Sequence, residues 1–344
     1  EYAKSVGFPV MIKASAGGGG KGMRIAKSAK GFDALFSSAQ NEASNAFGDD
    51  RIFIEKYIEN PRHIEIQILG DKFGNIVYLG ERECSVQRRH QKIIEEAPSS
   101  FINNKIRNAM GKQAILLAKS VGYYSAGTVE YVVNKQKEFF FLEMNTRLQV
   151  EHPVTEETLG IDIVEEMINI ANNKKISITQ NKVKTNGWAF ESRLCAESPI
   201  KNFLPSAGRL TKLTLPKDEV RIDYGYKEGN NISIFYDPMI AKIISRGVDR
   251  KTAINSMLAA LEKIDVRGVD TNLNFLMDIY NNQSFIKGEI DTNFIDNFYK
   301  GGYKGTVKNE FQRFYIGLLA FLYKINYLLA VNKNKKKINA HWIV

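Results

Sequence analysis

The feature that most constrains the fold is a run of glycines near the start of the chain. Residues 8–13 are an apolar segment that predicts a β-strand, residues 17–22 are glycines except for Lys21, and residues 23–25 again have strand character. Because glycine has no Cβ and accepts positive φ, backbone N–H groups in such a loop can approach a phosphate closely. A strand follows the loop and no Lys-Ser/Thr pair closes it, so the pattern is neither a Walker A loop nor a GxGxxG fingerprint. A phosphate-covering loop and a plain hairpin tip both remain open.

Within residues 63–69, polar and apolar side chains alternate up to Ile68. One face holds His63, Glu65 and Gln67, and three isoleucines occupy the other. A period of two is typical of a β-strand, here with one packed face and one polar face. The turn at residues 71–75 then predicts a hairpin with a return strand over 76–83.

A second predicted hairpin spans residues 127–145. Because side chains alternate along a strand, Glu143 and Asn145 point to the same side. If the turn centres on residues 135 and 136, Glu130 faces Phe141 and lies diagonal to Glu143, roughly 7–8 Å away. Two carboxylates and an amide oxygen form an oxygen-only site that suits Mg²⁺. Taken alone, glutamates on a strand are equally typical of a solvated face.

Two charged segments lie close to these hairpins in the sequence. Residues 145–156 place Arg147 and Glu151 directly after the predicted metal strand. A guanidinium fork can bind a small planar oxyanion, and a nearby carboxylate can accept a proton. Residues 87–92, Gln-Arg-Arg-His-Gln-Lys, gather cations where phosphate or bicarbonate could bind, although a solvated basic turn is an equal alternative. Lys13, at the end of the first strand, is placed to reach phosphates under the glycine loop.

Composition bounds the class of protein. With 344 residues, 44% of them hydrophobic and 25% charged, the chain predicts a folded, soluble protein of two or three domains. The formal net charge of +10 suits either nucleic acid or a protein that handles polyphosphate and bicarbonate. Because no zinc-finger spacing and no RNP-type aromatic motif occurs, we expect no nucleic-acid partner.

Two further features concern the compartment and the membrane. Cys84 and Cys195 lie far apart and lack metal-ligand spacing, which favours a reducing compartment. The apolar residues 314–331 are interrupted by Lys324 and Asn326 and barely reach spanning length. We therefore expect a packed or amphipathic helix there and no membrane span.

Taken together, five segments resemble the biotin carboxylase family of ATP-grasp enzymes. They contain the glycine loop, the Glu-Lys-Tyr and Asn-Pro-Arg-His motifs, the basic segment and the metal strand with its charged continuation, at residues 9–22, 55–57, 60–63, 81–92 and 143–156. ATP-grasp ligases in general share the glycine loop and the metal strand, whereas residues 87–92 and 147–153 resemble biotin carboxylases specifically. The resemblance covers roughly residues 1–297, in order.

This resemblance implies an α/β (α+β) architecture, an ATP-grasp fold with a small glycine-loop lid and a following mixed β/α subdomain. We accordingly expect four segments in the chain. They are an ATP-grasp lid at residues 1–57, an ATP-grasp core with the metal and bicarbonate site at 58–186, a biotin carboxylase carboxy-terminal subdomain at 187–297, and a truncated helical linker region at 298–344.

The resemblance also implies roles for individual residues. ATP would contact Lys13, Gly18, Gly19, Glu55, Lys56, Ile58, His63, Gln87 and His90, with residues 55–58 serving adenine largely through backbone groups. Mg²⁺ or Mn²⁺ would be held by Glu130, Glu143 and Asn145. Bicarbonate would be held by Lys92, Arg147, Gln149 and Val150. Glu151 would act as base and Arg193 would stabilise the biotin enolate, so that Lys92, Arg147, Glu151 and Arg193 form the catalytic set. If the family resemblance is set aside, His63 can be explained as a strand histidine paired with a neighbour, and Arg193 as a member of a surface salt bridge.

The implied reaction is phosphorylation of bicarbonate by MgATP to carboxyphosphate, followed by carboxylation of biotin at a ureido nitrogen. The implied partners are a biotinyl carrier domain, a carboxyltransferase subunit and further subunits of an oligomer, in the cytoplasm or, in a eukaryote, the mitochondrial matrix. Another ATP-grasp ligase, such as a carbamoyl phosphate synthase, and an inactive remnant that only binds nucleotide or a partner subunit remain alternatives. Acetyl-CoA, propionyl-CoA and pyruvate carboxylases share this domain, so the acyl acceptor is left open.

The chain departs from the family pattern at both ends. It begins at Glu1 in what reads as the end of a helix, without the amino-terminal Rossmann-like subdomain and the first lysine of the ATP site. No Ala-Met-Lys-Met motif of a biotinyl carrier domain occurs, and residues 298–344 resemble only the start of the region that follows in propionyl-CoA carboxylase alpha subunits. We therefore expect a fragment of the alpha subunit of a biotin-dependent acyl-CoA carboxylase.

Overall fold

The computed structural model describes residues 1–16, 22–305 and 310–339. Residues 17–21 of the predicted glycine loop, with Gly18 and Gly19, lie outside the described residues. The chain divides into two compact units, Glu1–Tyr303 and Lys304–Val344. Every predicted site residue that the structure describes belongs to the first unit.

The described residues form α-helices and β-strands in a mixed order. The helices are α1 (Tyr2–Val6), α2 (Phe32–Phe47), α3 (Asn104–Ser120), α4 (His152–Leu159), α5 (Ile163–Ala171), α6 (Arg250–Glu262), α7 (Leu273–Tyr280), α8 (Gln283–Ile286), α9 (Phe294–Phe298) and α10 (Glu310–Asn339). The strands are β1 (Val10–Ala14), β2 (Met23–Ala26), β3 (Ile52–Lys56), β4 (Arg62–Gly70), β5 (Ile76–Arg88), β6 (Gln91–Ala97), β7 (Ser125–Val133), β8 (Phe139–Asn145), β9 (Trp188–Cys195), β10 (Glu197–Ser198), β11 (Leu204–Pro205), β12 (Gly208–Arg209), β13 (Lys212–Thr214), β14 (Arg221–Tyr224), β15 (Asn231–Ile232), β16 (Met239–Gly247) and β17 (Asp265–Arg267). The predicted mixed α/β class is confirmed.

A small antiparallel sheet with the order β2-β1-β3 opens the first unit. Ala39 of α2 is buried in one cluster with Val10 and Ile12 of β1, so the small side chain lets the helix approach the sheet. Gly22 leads into β2 at a φ of +71°, and a Cβ at this position would lie 2.7 Å from the Cβ of Ala14. Only glycine fits there, at the end of the predicted phosphate loop.

An eight-stranded sheet with the order β14-β16-β9-β6-β5-β4-β7-β8 forms the body of the first unit. Every neighbouring pair in it is antiparallel. Because β6 pairs with β9, strands from the predicted segments 58–186 and 187–297 share one sheet. The four predicted domain boundaries themselves stay predictions.

β4 has the predicted alternation of a packed and a polar face, and part of its polar face is buried as well. The three isoleucines are fully buried in a cluster with residues of α3, as predicted. Glu65 and Gln67, on the other face, are also fully buried rather than solvated. The reason is the guanidinium of Arg82 on the neighbouring strand β5, which donates to both side chains.

The predicted register of the second hairpin was wrong for two reasons: the turn centres on Gln136, so that Val133 pairs with Phe139, and a β-bulge then interrupts the ladder. The ladder between β7 and β8 is irregular at Glu130 and Tyr131, so Glu130 pairs directly with Glu143 and Tyr131 pairs with Phe141. A bulge places two residues of one strand opposite one residue of the other. Side chains directly opposite each other are closer than diagonal ones. The two carboxylates therefore face each other instead of lying on a diagonal.

The largest hydrophobic cluster packs α6 and α7 against β9 and β16. Phe190 of β9 makes an edge contact with Tyr280, with ring centroids 5.7 Å apart. In the second unit, the predicted apolar segment 314–331 lies within α10. Among the described residues, no helix combines the length and the apolar character needed to cross a membrane.

Candidate active site

A cleft of about 560 Å³ in the first unit is lined by residues of the small sheet and of the eight-stranded sheet. Its lining includes every described residue that was predicted to contact ATP: Lys13, Glu55, Lys56, Ile58, His63, Gln87 and His90. Within this lining, Lys13 of β1 and Glu55 of the neighbouring strand β3 form an ion pair, with their charged groups 2.5 Å apart. The tertiary structure therefore gathers residues from four separate sequence segments around one nucleotide-sized space.

The same cleft has walls that the sequence did not indicate. Phe140 and Phe141 of β8 line it, as do Thr292 and Asn293 from the loop before α9. This loop is tied to the cleft because the Thr292 N–H donates to the carbonyl of Pro61 at 3.0 Å. No local pattern in residues 292–296 points to a binding site. The run of three phenylalanines at residues 139–141 was the one sequence feature that could have indicated this part of the cleft wall.

Lys92 joins three carboxylates beside this cleft. Its ammonium lies 2.5 Å from Glu65, 2.6 Å from Glu151 and 3.2 Å from Glu130. Burial alone would lower the pKa of Lys92, but the surrounding anionic groups raise it well above its usual value. For Glu65, burial alone would raise the pKa, and the charges of Lys92 and Arg82 outweigh it, so the pKa is lowered. Lys92 is thus held as a buried cation.

Glu130 is the point where the predicted metal and nucleotide sites meet. Its carboxylate is 2.7 Å from Nε2 of His63 and accepts from the side-chain amides of Asn145 and Gln149, each at 2.8 Å. Burial would raise the pKa of Glu130, but the hydrogen bond and charge of His63, with the charge of Lys92, lower it to about 2. Glu130 is therefore an ionised carboxylate at neutral pH.

The predicted metal ligands lie together where Glu130, inside β7, pairs with the carboxy-terminal part of β8. Asn145 donates to Glu130 and also lies 3.4 Å from a carboxylate oxygen of Glu143. Two carboxylates and an amide oxygen match the oxygen ligands that Mg²⁺ prefers, and Asn145 can present its oxygen by rotating its amide. His63, Glu65 and Glu130 also have ligand atoms within 4.8 Å of one another. Glu65, however, is already bonded to Arg82 and Lys92, which makes this second set less suitable.

The segment before α4 carries the predicted bicarbonate residues. Glu151 is buried and immediately precedes α4 as its N-cap residue, with one carboxylate oxygen 2.6 Å from Lys92 and the other 3.0 Å from Arg193. The carbonyl of Val150 accepts from Lys242 at 2.8 Å, and Gln149 reaches Glu130. Arg147 is exposed and donates to the carbonyl of Leu148 and to the side chain of Gln149. It has no direct bond to Glu151 among the described residues.

Sequence reasoning missed a layer of buried charges behind these residues. Arg82 is fully buried and donates to Glu65, Gln67, Thr128 and Thr155. Glu95, on β6, accepts from Arg193. The signals that could have pointed to this layer are the charged residues at alternate positions in otherwise apolar strands, such as Glu191 and Arg193 in β9.

Titration of the buried Glu95 should make the free energy of unfolding depend on pH. Burial raises its pKa from the usual 4.5 to about 7, even though Arg193 opposes the shift. The folded state then binds more protons than the unfolded state between these values, so this contribution to stability is complete below pH 4.5 and is lost as pH rises through 7. We expect a loss of about 3 kcal/mol over that window, since one pKa unit corresponds to about 1.4 kcal/mol.

Urea unfolding of the chain at several pH values measures this effect. Glu95→Gln cannot titrate, so the stability difference between wild type and variant should shrink as pH rises from 5 to 8, by about 3 kcal/mol. Parallel stability–pH curves for the two proteins would contradict the shifted pKa.

Two segments of the first unit each match the model of a known protein family. Residues 1–179 match the family model of the carbamoyl-phosphate synthase L chain ATP binding domain. Residues 191–297 match the biotin carboxylase C-terminal domain. The second match begins within β9, the strand that carries Arg193.

Curated relatives agree with this assignment. The chain is 53% identical over 306 residues to the mitochondrial propionyl-CoA carboxylase alpha chain of Homo sapiens, covering 88% of this chain and 42% of that protein. It is 52% identical over 326 residues to the propionyl-CoA carboxylase alpha chain of Ruegeria pomeroyi, covering 89% of this chain and 48% of that protein. The chain therefore spans less than half the length of these relatives.

Solved structures show the same fold. The biotin carboxylase of Campylobacter jejuni, solved as a β-γ-ATP complex, is 44% identical with a TM-score of 0.83, over 86% of this chain and 66% of that one. The biotin carboxylase domain dimer of the Hydrogenobacter thermophilus 2-oxoglutarate carboxylase, in complex with MgADP, ADP and bicarbonate, is 42% identical with the same TM-score and coverage. Because two family models account for most of the first unit and solved biotin carboxylases share its fold at 42–44% identity, the chain belongs to the biotin carboxylase family of ATP-grasp domains.

Proposed function

We propose that this chain carries out the ATP-dependent carboxylation of biotin with bicarbonate, through carboxyphosphate, as part of an acyl-CoA carboxylase. The observation that carries the proposal is the cluster of Lys92, Glu151 and Arg193. It places a carboxylate between two cations, beside the oxygen ligands Glu130 and Glu143 and next to the cleft. A carboxylate base, anion-binding cations and a metal-binding edge are the groups that this reaction needs.

The nucleotide would occupy the cleft, where Lys13 offers a positive group and His90 a ring nitrogen for its phosphates. Glu130, Glu143 and Asn145 would hold Mg²⁺ or Mn²⁺, which when bound offsets the charge of the triphosphate. Glu55–Ile58 would contact adenine, and the unforeseen aromatic residues Phe140 and Phe141 supply apolar surface on the same cleft. Gly18 and Gly19 would cover the phosphates.

Bicarbonate would bind between Lys92, Arg147, Gln149 and Val150. Glu151 would remove its proton, since it is the carboxylate that immediately precedes α4 at this point and both of its oxygens face cations. Arg193 touches Glu151 from β9, so its guanidinium is placed to stabilise negative charge on the biotin ureido oxygen next to the activated bicarbonate.

Relatives support the wider setting of the reaction. The human and Ruegeria pomeroyi proteins are propionyl-CoA carboxylase alpha chains, and the Hydrogenobacter thermophilus domain is a dimer that binds bicarbonate and MgADP. We therefore propose propionyl-CoA as the acyl acceptor of the whole enzyme, with a biotinyl carrier domain, a carboxyltransferase subunit and an oligomeric state as its other partners. The cytoplasm or the mitochondrial matrix would be its location.

The match of residues 191–297 to a biotin carboxylase domain favours this function over another ATP-grasp ligase. The deciding assay is ADP release with MgATP and bicarbonate, with and without free biotin. It uses the chain itself and a chimera that adds the amino-terminal portion of the Campylobacter jejuni enzyme ahead of residue 1. Biotin-dependent ADP release is the expected result. Turnover that ignores biotin would favour another ligase, and a chimera without turnover would favour a remnant that only binds nucleotide.

The metal site has its own test in MgATP binding. Glu143→Gln should weaken MgATP binding about ten-fold or more and affect binding of metal-free ATP much less, because the variant removes a metal ligand and leaves the cleft intact. Glu138→Gln, in the exposed turn of the same hairpin, is the matched control and should bind as wild type. Titration calorimetry measures both. Equal affinities of Glu143→Gln and wild type for MgATP would remove Glu143 from the metal site.

A further inference from the structure

Two buried glutamates face each other behind the proposed base. Glu95 of β6 and Glu191 of β9 are cross-strand partners in the ladder, and both are fully buried. Both carboxylate oxygens of Glu191 and one of Glu95 receive no hydrogen bond from the residues that the structure describes. Three orphaned oxygens on two adjacent acids are unusual, since buried polar groups are nearly always satisfied.

The cations around Glu191 are committed to other groups. Arg193, two positions further along β9, donates to Glu95 at 2.7 Å and to Glu151 at 3.0 Å. Lys242 of β16 lies 2.8 Å from the carbonyl of Val150 and 3.2 Å from Asp223, but 3.9 Å from Glu191. Both cations therefore bond residues of the segment before α4, and neither donates a hydrogen bond to Glu191.

The charge of Glu191 follows from these neighbours. An ionised carboxylate without hydrogen-bond donors is very unfavourable in a buried site, and such a group takes up a proton instead. The charged groups that face it are Glu95 from β6, Arg193 from β9, Lys242 from β16 and Glu151 at the start of α4. Burial first and the charge of Glu95 second raise the pKa of Glu191 well above its usual value, despite the two cations.

We propose that Glu191 is a neutral, protonated carboxylic acid that acts as a positioning residue for Arg193 and Lys242. Its proton provides a donor for the pair of acids, and its neutrality leaves Arg193 free to bond Glu151 and Lys242 free to bond Val150. An ionised Glu191 would draw Lys242 across from the Val150 carbonyl and so shift a proposed bicarbonate-binding residue. The consequence for bicarbonate rests on the proposed function, whereas the charge state of Glu191 does not.

The charge state is tested on the chain itself by unfolding and by infrared spectroscopy. Glu191→Gln replaces a neutral acid by a neutral amide, so the folding equilibrium constant at pH 7 should stay within about three-fold of wild type. The matched control is Glu96→Gln on β6, because Glu96 is equally buried but accepts from Arg250 and Trp188, both at 2.7 Å. Its folding constant should fall about ten-fold or more. The wild-type infrared spectrum should contain a protonated carboxylic acid band that Glu191→Gln lacks.

The positioning role is tested by kinetics in the chimera. Lys242→Met removes the donor to Val150 and should raise the KM for bicarbonate about ten-fold, with a smaller change in kcat. Glu191→Gln should keep the wild-type KM at neutral pH and should lack the rise in KM that ionisation of Glu191 produces in wild type at alkaline pH. A merely structural Glu191 would leave the two pH profiles parallel.

The outcomes separate this inference from the proposed function. If Glu191→Gln destabilises the chain as much as Glu96→Gln and the infrared band is unchanged, Glu191 is ionised and the inference is overturned. If the band disappears but the chimera shows no biotin-dependent turnover, the charge state holds and the proposed function fails. An unchanged KM in Lys242→Met overturns the positioning role alone.

Discussion

Glu151→Gln is expected to lower bicarbonate-dependent turnover by ~10²-fold or more while leaving MgATP affinity near that of wild type. The amide keeps the shape of the side chain but cannot accept the proton of bicarbonate. ATP affinity should survive because Glu151 does not line the nucleotide cleft. Steady-state ADP release by the chimera and titration calorimetry with MgATP measure the two quantities.

The matched control for this variant is Glu157→Gln, on the helix α4 that Glu151 immediately precedes. Glu157 lies 3.5 Å from Arg221 and is more than a quarter exposed, away from Lys92 and Arg193. It should turn over at the wild-type rate. If Glu151→Gln also does so, Glu151 is only a structural partner of Lys92 and Arg193, and another group must take the proton.

The largest effect on stability is expected for Arg82→Met. Arg82 is fully buried and lies 2.5 Å from Glu65, and it also bonds Gln67, Thr128 and Thr155. Methionine fills similar space without a charge, so Glu65 keeps Lys92 as a partner but loses its other cation. Removing one member of a buried ion pair destabilises a protein by about 3–5 kcal/mol. Urea unfolding of the chain at pH 7 measures the loss.

An exposed arginine of the same sheet provides the control for this effect. Arg246 lies on β16, and Arg246→Met should change the free energy of unfolding by no more than about 0.5 kcal/mol. Similar values for the two variants would mean that the network around Arg82 contributes little to stability.

Local patterns in the sequence predicted the elements of the site well. Alternation over residues 63–69 predicted β4, the apolar segments on either side of the glycine run predicted β1 and β2, and the hairpin of residues 127–145 is present. These patterns succeed because a period of two and the freedom of glycine act between neighbours in the chain. The family motifs added the expected chemistry, and the described residues that were predicted to contact ATP line one cleft.

The bulge at Glu130 and the burial of Glu65 could not be predicted in this way. A register depends on how two strands accommodate each other, so a turn centred on Gln136 together with one bulged residue changed the diagonal relation of Glu130 and Glu143 into a direct pair. The alternation placed Glu65 on a polar face but could not show its burial, because its partner Arg82 belongs to the next strand. Polar residues at alternate positions indicate a face but not what covers it.

What the sequence by itself determined is the set of reactive groups and the short elements that carry them. The tertiary structure decided their neighbours: Glu95 with Glu191, Arg193 with Glu151, and Lys242 with Val150, which are 96, 42 and 92 positions apart. Such pairs depend on the order of strands in the sheet, where β6, β9 and β16 lie side by side. Their charge states follow from shared burial and mutual distance, which are properties of the folded sheet and not of any single segment.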